Sequence, residues 1–244
     1  MRLHNPFISR RVFLFFMASF LLCPIVHAFA GGQQPAILVS SCATSINHQT
    51  NQTVHNIRLA VSKLSGKLLE PGQVFSFNET VGEITAVAGY QQAPVLLNGE
   101  RNDVSGGGIC QVSSTLYCAV LQIGLEIVER YRHSSPVTYL PLGQDATIAW
   151  GQKDLKFKNT SEQTLMIKGE IVGGRLIICI HGERKPEHSY ELRSEVHEIP
   201  PPETGKNLTP ALEALVYRIE MKNNEAVCRE FLYRDYYPSY LMGQ

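Results

Sequence analysis

Gly106-Gly107-Gly108-Ile109-Cys110-Gln111-Val112-Ser113-Ser114-Thr115-Leu116-Tyr117 is the stretch from which the rest of the chain can be read. Three successive glycines carry no side chains to pack and lose much backbone freedom on folding. Immediately after them Leu116, Ala119, Val120 and Ile123 recur at helical spacing. A helix is therefore expected to start near Ile109 or Cys110 and to end near Gly124. Cys110 then sits where bare backbone enters a helix. There the positive end of the helix dipole and the unpaired N–H groups favour a thiolate. The same twelve residues equally suit a glycine-rich turn followed by a buried cysteine, since free Cys is among the most buried residue types.

Outward from this stretch, the sequence alternates short strand and turn signals. Thr53 is placed to cap a helix carrying Ile57, Val61 and Leu64 on one face. Strands are expected at Ala36–Ser40, Val74–Phe77 and Ala93–Leu97. Asn98-Gly99 is a hairpin signal, with its partner strand near Arg101–Val104. Beyond the central helix, strands are expected at Val137–Leu140, Thr147–Trp150, Asp154–Phe157, Leu165–Ile171 and Arg175–His181, with a turn at Gly173-Gly174. Composition shifts at Lys185, and Val216–Met221 with Cys228–Tyr233 read as a hairpin across Asn223-Asn224. The expected class is α+β: a mainly antiparallel sheet with two packing helices, and Cys110 at a helix N-terminus. Residues 31–184 are expected to form the main domain. Residues 185–244 form a C-terminal extension, a strand hairpin packed on the same domain.

The chain of 244 residues is 44% hydrophobic and 18% charged, which suits a globular protein with one main core. Three of its 22 basic residues (Arg2, Arg10, Arg11) and none of its 22 acidic ones lie in the first thirty, leaving the remainder near −3. That balance argues against nucleic acid as a partner. Arg10 and Arg11 precede an apolar run from Val12 to Val26, and Ala28-Phe29-Ala30 offers a small-x-small cleavage site. Residues 1–30 therefore read as a signal peptide for export to the periplasm or cell envelope, with transient membrane contact through that segment. Ser9-Arg10-Arg11-Val12-Phe13-Leu14 resembles a twin-arginine signal, which would export the protein already folded. Five cysteines then remain, Cys42, Cys110, Cys118, Cys179 and Cys228. An odd number with no close pair does not indicate a disulfide framework. The sequence also lacks the ligand spacing of a zinc site.

A cysteine nucleophile needs a nearby base, commonly His, and often a third group that orients it. His133, in the polar turn Arg132-His133-Ser134-Ser135-Pro136, is the favoured base, and Asp145 or Asp154 the orienter. Gly106, Gly107 and Gly108 would let a substrate backbone approach, while Gln111 and Ser113 are candidate donors beside the thiol.

Several segments together resemble the VanW family of bacterial cell-envelope proteins. They are Pro71-Gly72-Gln73-Val74-Phe75-Ser76-Phe77-Asn78, Gly89-Tyr90 with Ala93-Pro94, and the Gly106–Tyr117 block. Glu129-Arg130 with His133-Ser134, Asp145-Ala146 and Asp154–Asn159 follow in the same order. The resemblance implies a peptidoglycan L,D-transpeptidase with a catalytic cysteine, unrelated in sequence to the YkuD type. It implies Cys110 as that cysteine. His133 matches a family position, and its role as base is inferred. The implied reaction forms 3→3 cross-links between stem peptides through a Cys110 thioester, with no metal or organic cofactor. A cysteine peptidase or carboxypeptidase of stem peptides, and a non-catalytic envelope or glycopeptide-resistance accessory protein, are the alternatives. Oligomeric state is left open.

Overall fold

In the computed structural model, the described residues are 37–97, 100–201, 208–222 and 225–240. The expected signal peptide and the turn residues Asn98-Gly99 and Asn223-Asn224 lie outside them. The elements run β1 (Ile37–Ser45), α1 (Asn51–Leu64), β2 (Lys67–Leu69), β3 (Val74–Ser76), α2 (Phe77–Val81), β4 (Gln92–Leu97), β5 (Glu100–Ser105) and α3 (Ile109–Leu121). They continue with β6 (Glu126–Glu129), β7 (Lys156–Lys158), β8 (Leu165–Val172), β9 (Arg175–Gly182), β10 (Ser189–Ile199), β11 (Ala211–Lys222) and β12 (Glu225–Tyr237). All strand pairs are antiparallel, in sheets ordered β1-β9-β8-β2, β3-β7-β6 and β10-β11-β12, with β4-β5 as a separate hairpin. Among the described residues the class is α+β, with three helices rather than two. The third, α2, is a five-residue helix that takes over where Phe77 was expected to end a strand. Ser76 caps it, accepting from the Glu79 N–H at 3.1 Å.

The largest core forms where α1 and α3 pack on the four-stranded sheet. α1 presents Ile57, Ala60, Val61 and Leu64, all buried, at the spacing of one helix face. Its cap is Thr50 rather than Thr53: the Thr50 hydroxyl accepts from the Thr53 N–H at 3.2 Å, and Thr53 is itself buried one turn inside. α3 differs in kind. Every residue from Ile109 to Leu121 is buried except Cys110, which is partly exposed. A helix apolar or satisfied on all sides belongs in an interior. Its polar side chains are satisfied there: Thr115 donates to the Gln111 carbonyl at 2.7 Å and meets Thr44 at 2.9 Å.

The three glycines place this helix. Gly108, its cap, has φ +102°, a conformation that L side chains rarely adopt. A Cβ at Gly107 would lie 2.5 Å from the Ala93 carbonyl oxygen and 2.8 Å from its carbon. Gly106 sits equally close to Ile84, where a Cβ would meet Cγ2 at 2.1 Å. Buried Asn56 binds the loop to α1, donating to the Gly107 and Gln91 carbonyls at 3.1 and 2.9 Å. We expect Gly107→Ala to cost about 3 kcal/mol, because the obstacle is backbone that cannot turn aside. Urea unfolding measures this, and a cost below about 1 kcal/mol contradicts so close a contact.

Two expected strands are corrected. Residues 137–140 are irregular, and of 147–150 only Thr147 and Ala149 pair, in isolated bridges to Tyr131 and Lys153. Side chains rather than a ladder hold this segment, as described below. The C-terminal part is a three-stranded sheet, not a hairpin. β10 pairs with β11 over its whole length, from Ser189↔Met221 to Ile199↔Ala211.

Candidate active site

The first turn of α3 is fastened to the loop at residues 144–148. Ser113 and Ser114 are three and four residues after Cys110, on the same helix side. The Ser113 hydroxyl donates to the Ala146 carbonyl at 2.6 Å, and Ser114, whose own proton goes to the Cys110 carbonyl at 2.6 Å, accepts from the Ala146 N–H at 3.0 Å. Ala146 is therefore pinned, with Asp145 and Thr147 on either side. The Cys110 Sγ lies 3.4 Å from the Thr147 hydroxyl and 3.6 Å from the Ile148 carbonyl oxygen.

His133 completes the group. Its imidazole lies close enough to the Cys110 thiol for the two groups to shift each other's protonation. Its Nδ1 lies 2.5 Å from Asp145 Oδ2, and its backbone N–H donates to the same oxygen at 2.8 Å. With Nδ1 given to Asp145, Nε2 is left for the sulfur. Asp145 is 1% exposed. Its Oδ1 accepts from the Tyr237 hydroxyl at 3.1 Å and lies 3.5 Å from Arg130 Nη2. Arg130 also donates to the Asp145 carbonyl at 2.8 Å and the Gly143 carbonyl at 3.0 Å, which fixes the loop that carries Asp145.

The electrostatics follow from this arrangement. Burial pushes the Cys110 thiol up, but the hydrogen bond and charge of His133 outweigh it, helped by Ile148 and Thr147, and bring it below its ordinary value. Burial pushes His133 down, and the Asp145 and Cys110 contacts reverse this, raising it to about 9. Asp145 is lowered: burial opposes ionisation, and His133 and Arg130 more than offset it. The sulfur thus favours the thiolate and the ring the imidazolium. The pair is populated above the thiol pKa and lost as pH rises through about 9. Iodoacetamide alkylation, read by mass on the Cys110 peptide, should show a midpoint below the usual thiol value of about 8.5. His133→Ala should raise that midpoint, and an unchanged midpoint contradicts the pairing.

Of the residues singled out from the sequence, Cys110, His133 and Asp145 come together. Asp154 does not join them. Its carboxylate accepts from Ser76 at 2.6 Å, the Asn78 N–H at 2.9 Å and the Leu155 N–H at 2.8 Å, at the start of α2. Gln111 points to β1, donating to Thr44 at 3.0 Å and the Ser45 carbonyl at 2.8 Å, while Gln49 donates to it at 3.2 Å. Ser113 is spent on the Ala146 loop, and Gly106, Gly107 and Gly108 are packed against Ile84, β4 and α1 respectively. Thr147, Ser114, Arg130, Tyr237 and Tyr139, whose hydroxyl donates to the Cys110 carbonyl at 3.4 Å, were not singled out from the sequence. Two of them lie in the motifs that carry the family resemblance, Ser114 in the Gly106–Tyr117 block and Arg130 in Glu129-Arg130. Among the described residues there is no group of three or more His, Cys, Asp or Glu side chains that could hold a metal ion.

A family model described as "VanW like protein" matches residues 52–181, just over half of the chain. The chain belongs to the VanW family. The match contains Cys110, His133 and Asp145 and stops short of β10, β11 and β12. Over 138 residues the chain is 42% identical to the uncharacterized protein YoaR of Bacillus subtilis, covering 57% of this chain and 46% of that one. Over 170 residues it is 29% identical to the vancomycin B-type resistance protein VanW of Enterococcus faecalis, covering 65% and 62%. The chain spans about half to three-fifths of the length of these curated relatives. No solved structure matches it.

Proposed function

We propose that this VanW-family protein is a peptidoglycan L,D-transpeptidase, exported to the cell envelope, with Cys110 as nucleophile at the start of α3. The observation that carries the reading is the array of a partly exposed thiol, an imidazole and a buried carboxylate, at the only position of α3 that is not buried. The kinship with a protein named for vancomycin resistance favours the cell wall as its place of work.

The Cys110 thiolate attacks the carbonyl carbon of the third stem residue, forming a tetrahedral oxyanion. The Ile109 and Gln111 N–H groups are given to the Gly106 and Gly108 carbonyls, which leaves the Cys110 N–H at the helix start as the donor to that oxygen. The amide bond to the terminal D-Ala breaks, and the His133 imidazolium gives its proton to the leaving amine. A thioester remains. The side-chain amine of a second stem attacks it, His133 takes a proton from that amine, and the thiolate leaves, so the 3→3 cross-link forms and the ion pair is restored. Asp145 holds the ring in the tautomer that faces the sulfur and stabilises its charged form. Turnover should follow a bell in pH. Its acid limb is the thiol, and its basic limb, near 9, is His133.

The test is to express the protein in a host lacking other L,D-transpeptidases and analyse muropeptides by mass. New 3→3 dimers are expected. Shortened monomers without dimers would instead identify a hydrolase, and no change from a folded, exported protein removes both enzymatic readings.

A further inference from the structure

Two partly buried cations, Arg130 and His133, and two buried carboxylates, Asp145 and Asp235, lie together, and they are sorted into pairs. His133 has Asp145, at 2.5 Å. Arg130 has Asp235 of β12, with Nη2 2.7 Å from Oδ2 and Nη1 2.9 Å from Oδ1. The cross pair, Arg130 to Asp145, is wider at 3.5 Å. A buried guanidinium without a counterion is costly, so Arg130 takes an anion wherever one is in reach. The two carboxylates in reach are Asp235 and Asp145.

We propose that Asp235 is a positioning residue of this site, which by neutralising Arg130 reserves the Asp145 carboxylate for His133. The inference rests on the thiolate–imidazolium reading above. It gives a role to β12, which lies wholly outside the family match at residues 52–181. Residues two apart on a strand share a face. Tyr233, Asp235 and Tyr237 do so, and all three reach the Gly143–Asp145 loop or its clamp. Tyr233 donates to the Gly143 carbonyl at 2.9 Å, and its ring stands 4.8 Å from the Arg130 guanidinium. Tyr237 donates to Asp145.

The other groups that face this cluster do not replace Asp235. Tyr117 stands 5.5 Å from the Arg130 guanidinium, and Tyr139 lies near Cys110 and Asp145. Burial raises both of these phenols, and Tyr233 and Tyr237 as well, so all four stay neutral where the thiol titrates. Arg132 lies 5.2 Å from the Tyr237 ring and donates to the His133 carbonyl at 2.8 Å, so it adds a cation rather than an anion. With Asp235 neutral, Arg130 turns to Asp145, Asp145 divides its charge between two cations, and the His133 imidazolium loses support.

The test uses the full-length chain and alkylation of Cys110 by iodoacetamide across pH. Asp235→Asn should raise the midpoint by about one pH unit, a roughly tenfold loss of thiolate on the acid side. Asp235→Glu, which keeps the carboxylate, should stay near the wild type. Combined with Asp145→Asn, Asp235→Asn should add no further shift, because it acts through Asp145. Asp235→Ser takes the place of Asp235→Asn should that variant not fold. A low wild-type midpoint that Asp235→Asn leaves unmoved, or an additive shift in the double variant, overturns this inference alone. An ordinary wild-type midpoint that His133→Ala leaves unmoved overturns the thiolate–imidazolium reading as well.

Discussion

Cys110→Ala is expected to abolish 3→3 dimers while leaving a folded protein. The loss should be at least about 10⁴-fold, since no step that passes through a thioester survives without its sulfur. Little structural cost accompanies it. Cys110 is the only residue of α3 that is not buried, and the backbone contacts of its turn run through its carbonyl, which accepts from Ser114 at 2.6 Å. Alanine keeps that carbonyl and has high helix propensity. The melting temperature should therefore stay within a few degrees of the wild type, and the muropeptide profile should match that of the empty host. Dimers at the wild-type level in Cys110→Ala would falsify the proposed nucleophile.

Asp145→Asn should lower turnover by about 10³- to 10⁴-fold, equivalent to about 4–5.5 kcal/mol of transition-state stabilisation. The argument is geometric and electrostatic together. Asp145 Oδ2 receives both the Nδ1 and the backbone N–H of His133, and the carboxylate is buried at 1% exposure. Asparagine has nearly the same shape but no charge. It leaves the imidazolium without its counterion and can present an N–H₂ where His133 also presents a donor. His133 then drops from about 9 towards an ordinary histidine value, and the thiol rises with it. The effect should fall on kcat rather than KM, with the alkylation midpoint of Cys110 moving up in parallel. Unfolding should also become easier, because Arg130 and His133 both lose a buried anion. An unchanged kcat in a folded Asp145→Asn variant removes Asp145 from the mechanism.

The parts of this molecule that were legible in advance are those with local causes. The start of α3 shows in three glycines followed by helical periodicity, and the β4–β5 hairpin in Asn98-Gly99 between strand-like runs. Strands β8 and β9 show in alternating apolar residues around Gly173-Gly174. Less legible was β10, Ser189–Ile199, where Tyr190, Leu192 and Val196 alternate with charged residues but Ser194 and Glu198 interrupt the face they share. Residues 137–140 carried a strand signal that the fold does not use; the loop that follows is held by side chains, Arg130 and Ser113 on its carbonyls and Ser114 on the Ala146 N–H. Gln111 adjoins Cys110 in sequence, yet a helix turns successive residues by about 100°, so the two face different partners, whereas Ser113 shares the Cys110 side and is held by the Ala146 carbonyl.

By itself, the sequence determined the α+β class, and it offered Cys110 at the entry to an expected helix, His133 as candidate base and Asp145 or Asp154 as candidate orienter. Tertiary structure alone decided that Cys110 is the accessible residue of an otherwise buried helix, that Asp154 serves α2 instead, and that Arg130 and Asp235, 105 residues apart, meet. The physical reason is range. Helix starts and hairpin turns are set by backbone preferences over a few residues, whereas the pairing of buried charges depends on which strands lie side by side and in what register, and no short stretch of chain records that.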